Sequence, residues 1–204
     1  MKYPVLRQIE AYWDGLRAGR PVPLRSEIDP RGIDGALEYA FILERIAPGL
    51  ARFRLAGMHL VDLMGMEVRG MPLTSFFVPE SRRTVSDVLE QVFEGPETVE
   101  MTLSGERGIG KPPIEAKLLM LPLKSDLGDV SRVLGCLVSD GAIGRSPRRF
   151  HLTECRRSQI ENFDRGARKP EKTPTPGFAE PATPFSNKKP GRKGPVLRLI
   201  RTDD

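Results

Sequence analysis

A chain of 204 residues, 39% of them hydrophobic, can bury one core of ordinary size and leaves little room for a second full domain. No run of about 18 or more apolar residues occurs, so no helical membrane span is expected. The formal net charge of +5 is unevenly placed: residues 1–144 carry 17 Lys and Arg against 20 Asp and Glu, and residues 145–204 carry 15 against 7.

The N-terminal Met1-Lys-Tyr-Pro-Val-Leu-Arg lacks the apolar run of a signal peptide. Cys136 lies in an apolar run and Cys155 among arginines, which implies neither a disulfide framework nor a zinc site. A reducing cytoplasm is the expected location.

In chain order, Val5, Leu6, Ile9, Trp13 and Leu16 recur at helical spacing, predicting a helix over 3–18 that stops at Gly19. Asp29 followed by Pro30 reads as an N-cap and first helical position, with a helix running to about Glu38. Tyr39 to Ile46 and Leu50 to Ala56 read as strands turned at Pro48-Gly49. In the second, Arg52 and Arg54 alternate with Phe53 and Leu55, predicting one face in the core and one in water. Met58 to Met64 reads as one or two helical turns. Glu80 to Phe93 is amphipathic and is stopped by Gly95-Pro96. Strands are expected over 97–103, 114–123 and 132–140.

The last quarter differs in kind. Between Arg165 and Pro195 there are 7 prolines and 4 glycines, and apolar residues are sparse. A stretch of this composition buries too little surface to offset its ordering entropy. The expected organisation is a helix over 1–20, a folded domain over 21–145, and a basic, mostly disordered tail over 146–204 with some helical character from Phe150 to Phe163.

The order helix, helix, two strands, helices, three strands resembles the PAS arrangement. Tyr12-Trp13 with Leu16-Arg17, the run ending Arg25-Ser-Glu-Ile-Asp-Pro30, Phe53-Arg-Leu-Ala-Gly57, Gly65-x4-Gly70 and Leu118-Leu-x-Leu-Pro-Leu123 narrow the likeness to a bacterial single-module PAS-like family. The resemblance covers roughly residues 8–142. It implies an α+β fold, a five-stranded antiparallel sheet with flanking helices. It also implies a sensory or protein-interaction module that passes its signal to a separate protein and carries no catalytic residues. A fold likeness does not by itself supply a function.

Rival chemistries fail on particular residues. Gly105-x4-Gly110-Lys111 fits seven places of a phosphate-binding loop, but Pro112 stands where a hydroxyl should reach magnesium, and a strand follows instead of a helix. No NTPase activity is expected. Neither histidine has an evident Ser or Cys partner for nucleophilic catalysis. Glu97 and Glu100 read as solvated, and Cys136 as a small core residue; the Asn-Cys-Arg-Phe motif of flavin-binding photosensory PAS domains is absent. His59 and His151 do not make a metal site. No enzyme, metal or cofactor is expected.

A ligand pocket, if present, is expected among Phe53, Leu55, Met58, His59, Leu63, Met64 and Phe76. Four of the chain's seven methionines fall between Met58 and Met71 and suit either a core or a variable ligand. Val5, Ile9, Trp13 and Leu16 make a stripe that serves either a homodimer or the chain's own sheet. The alternative function is a scaffold or nucleic-acid-associated protein acting through basic clusters at Arg145, Arg148, Arg149, Arg156, Arg157 and Arg165 and at Lys188, Lys189, Arg192 and Lys193.

Overall fold

The computed structural model describes residues 3–160 except residue 96. These residues all belong to one of the two units into which the chain divides, Met1–Ala167. Helix α1 spans Pro4–Arg17, α2 Met58–Met64 and α3 Pro79–Glu94. The strands are β1 Ala40–Ala47, β2 Leu50–Ala56, β3 Glu97–Gly105, β4 Glu115–Lys124, β5 Val130–Asp140 and β6 Phe150–Gln159. They form one sheet in the order β2-β1-β5-β4-β3-β6, with every neighbouring pair antiparallel.

Both faces of the sheet are covered, and the alternation of side chains along each strand divides the core in two. Phe41, Leu43, Val99, Met101, Leu118, Met120 and Leu137 point to the face packed by α2 and α3. Ala40, Ile42, Leu119, Leu121, Leu134 and Cys136 point to the face packed by α1 and the segment after it. Strands β4 and β5 therefore read as continuous apolar runs, because neither of their faces meets water. Gly135 sits opposite Phe41 in the β1–β5 ladder, and a Cβ there would lie 2.0 Å from Phe41 Cζ. The glycine makes room for the ring.

Helix α1 lays Leu6, Ile9 and Trp13 onto the sheet, and the Trp13 Nε1–H donates to the Pro122 carbonyl at 2.8 Å. The stripe considered for pairing is thus largely used within the chain: Ile9 and Trp13 are buried, while Val5 and Leu16 are partly exposed. The helix ends at Arg17, with Ala18 in the left-handed region at φ 47°.

The helix expected from Pro30 is a 3-10 segment, Pro30–Ala36, and the Asp29 carboxylate accepts from the Arg31 N–H as its cap. Gly32 and Gly35 weaken an α-helix here. Tyr12 clamps the segment to α1, its hydroxyl accepting from the Asp29 N–H and donating to the Asp29 carbonyl.

The sheet has six strands where five were expected. Strand β6 occupies Phe150–Gln159, so the folded part continues past residue 145, and residues 150–159 of the segment expected to have helical character are extended. Val99, Met101 and Leu103 alternate inward on β3, and without β6 that strand would end the sheet with an open ladder. Phe150 and Leu152 continue the α3-face core onto β6. The disorder expected of residues 161–204 lies outside the described residues.

Candidate functional site

The face under α2 and α3 holds four of the seven residues expected to line a pocket. Phe53, Leu63, Met64 and Phe76 are each at most 3% exposed and belong to one cluster. The ring of Phe53 lies 5.3 Å from that of Phe41 and 5.3 Å from that of Phe76. Phe77, together with Val85, Leu89 and Val92 from the apolar side expected of the amphipathic helix α3, completes the packing.

Leu55 is not with them. In the β1–β2 ladder Leu43 pairs with Phe53 but Ile42 pairs with Leu55, so two steps on β2 answer one on β1. The bulge at Arg54 reverses the parity of the strand and carries Leu55 to the α1 face, where it is 53% exposed. Met58 is also exposed, at the start of α2. Of the methionine group only Met64 is fully in the core, Met71 packs at its edge, and Met66 faces solvent.

His59 is half-buried at the rim. Its Nε2 lies 3.0 Å from the Ser139 Oγ on β5, and its ring meets the edge of Tyr39 at 4.9 Å. Burial holds the imidazole below its ordinary value of 6.5, although Asp62 and Glu38 pull the other way.

Helix α2, the short wall of this core, is fastened at both ends. At its start the Gly57 N–H donates to Ala40 O at 2.8 Å and the His59 N–H to Glu38 O at 3.0 Å. A Cβ on Gly57 would lie 2.2 Å from Glu38 O, so the strand–glycine–helix junction needs glycine there. At its end the Ser146 hydroxyl donates to Asp62 O at 2.8 Å and the Arg148 N–H to Leu63 O at 2.8 Å. These satisfy carbonyls that a helix terminus leaves without partners.

Arg148, counted beforehand among exposed basic residues, is fully buried. Its guanidinium donates to the Pro112 carbonyl at 2.8 Å, the Glu106 carbonyl at 3.3 Å, and the Ile143 carbonyl. It therefore ties the 105–114 loop to the segment before β6. In that loop Lys111 is paired with Glu106, and Pro112 and Pro113 lead into β4, the strand expected after the loop.

Two arginines of β6 have local partners. Arg157 donates to Gln91 and Arg156 pairs with Glu154. Burial pushes the Cys136 thiol up to about 12, which keeps it protonated under the helix. Among the described residues no three His, Cys, Asp or Glu side chains gather as a metal site would require, and no helix is long and apolar enough to cross a membrane.

Residues 1–138 match the family model described as PAS domain, and the chain belongs to that family. Two solved structures are similar. One is a light-oxygen-voltage domain studied with a flavin analogue: 20% identity, 54% of this chain and 83% of that one covered, TM-score 0.42. The other is the light state of the blue-light photoreceptor Aureochrome1 LOV: 16% identity, 54% and 88% covered, TM-score 0.40. No curated protein matches the chain.

Proposed function

We propose that the protein is a sensory and protein-interaction module that catalyses no reaction and passes its state to a separate signalling protein. The observation that carries this reading is the use of the same strands by two apolar clusters. Neighbouring residues Phe41 and Ile42, Leu118 and Leu119, and Leu137 and Cys136 point to opposite faces. A change in packing under α2 thus displaces strands that also support α1. Close-packed interiors transmit such strain because they have little free volume to absorb it. Membership of the PAS domain family supports the same reading.

The test is hydrogen exchange on the full chain with Met64→Ala, which disturbs only the α3-face cluster. Faster exchange is expected in the amides of α1 as well as in α2. Exchange in α1 identical to the parent protein would refute transmission through the sheet. Native mass spectrometry and a UV–visible spectrum of freshly purified protein test the sensory part, by detecting any molecule the protein retains.

A further inference from the structure

On the opposite face from the α2–α3 core, a groove of about 190 Å³ opens between the segment 25–37 and strands β1 and β2. Its floor is Ile33, Ile42 and Leu134, all buried, and its walls include Ile28 and the exposed Leu37 and Leu55. Arg25 stands at this groove, half-buried. Among the described residues its guanidinium has no hydrogen bond or ion pair. The acids near it in sequence are engaged: Glu27 accepts from Arg20 at 2.8 Å and Asp29 caps Arg31. One row further along the sheet, Glu44 lies between Arg52 and Arg132 in the ladder and pairs with both and with Arg54. Three cations on one carboxylate leave that neighbourhood positive.

An apolar floor, a volume suited to one ring or a short chain, and a cation at the edge with no partner among the described residues specify an occupant. A dry cavity of about 150 Å³ accommodates benzene. A carboxylate accepts from a guanidinium in a charge-assisted pair that a neutral head group cannot match. We propose that this groove binds a small monocarboxylic acid with an apolar tail, the tail over Ile33, Ile42 and Leu55 and the carboxylate on Arg25. The bulge at Arg54 builds the site, since it is what turns Leu55 toward Ile42. This inference is independent of the sensory reading and survives its failure.

The test is a titration of methyl-labelled full-length protein with octanoate, followed by NMR, with octanol as the neutral probe. Shifts are expected at Ile33, Leu37, Ile42 and Leu55, with octanoate binding more tightly than octanol. Arg25→Gln should weaken octanoate about tenfold and leave octanol unchanged. Leu55→Ser, at an exposed position that the fold does not need, should weaken both. Four results would each overturn the proposal: no response to octanoate, shifts centred on Leu63 and Met64, equal affinity for the two probes, or octanoate binding untouched by Arg25→Gln. Binding confined to anionic vesicles, with none to monomeric octanoate, would overturn it too.

Discussion

Gly135→Ala sets two effects of opposite sign against each other. Removing a glycine from a strand interior relieves the unfolded chain of conformational freedom and favours folding by roughly 0.5–1 kcal/mol. The new Cβ, however, would stand 2.0, 2.1 and 2.8 Å from three atoms of the Phe41 ring. That ring is 2% exposed and packs against Phe53 at 5.3 Å, so it has little room to retreat. Overpacking of this kind costs about 1–3 kcal/mol, and the backbone shift needed here belongs at the upper end. The expected net destabilisation is about 2 kcal/mol, a fall in Tm of roughly 4–8 °C for a chain of this size. Urea unfolding of the single variants and of the pair with Phe41→Ala measures it. Phe41→Ala alone should cost about 3–5 kcal/mol. The double variant should cost at least ~1 kcal/mol less than the two combined, because the added methyl fills vacated space. Additivity, or a neutral Gly135→Ala, would refute the reasoning.

Three further outcomes are expected. Leu63→Trp should lower stability by about 1–3 kcal/mol or more in chemical denaturation, because Leu63 is fully enclosed and an indole has no space to enter; a Trp variant as stable as the parent would show an open pocket. His59 is neutral in both states well above 6.5, and below it the unfolded chain takes the proton more readily. Stability should therefore decline as pH falls below 6.5, by at most ~1.4 kcal/mol per pH unit from this group, and His59→Gln should flatten that part of the profile. Arg148→Met keeps the buried stem but leaves three carbonyls without their donor. A loss of about 2–4 kcal/mol is expected, with limited proteolysis appearing first in residues 105–114; uniform proteolysis would argue against the tie.

Much of the architecture was legible from residue pattern. The amphipathic periods of α1 and α3 and the apolar runs of β1, β4 and β5 set both the order of elements and the likeness to the PAS domain. What escaped has physical causes. β6 holds two inward apolar residues, Phe150 and Leu152, followed by an exposed polar run, and averaging over a basic segment hides so short a signal. A bulge leaves no mark in composition, so the alternation at Arg52–Leu55 predicted the wrong face for Leu55. Phe53, Leu63, Met64 and Phe76 do share one core cluster, because Phe53 precedes the bulge on β2 and Leu63 and Met64 lie on the inner side of one short helix. Arg148 read as a surface cation because its carbonyl partners come from loops distant in sequence, and no spacing rule encodes them.

The clasp on α2 bears on how this domain can be excised. Residues 1–138 satisfy the family model, yet Ser146, Arg148 and the whole of β6 lie beyond that limit. A fragment cut there would lose the donors to the last turn of α2 and expose the full length of the β3 ladder. Its most available remedy is to pair that ladder with another copy of itself. Association measured on such a fragment would then report the position of the cut, and oligomeric state has meaning only for chains that run through Ile160.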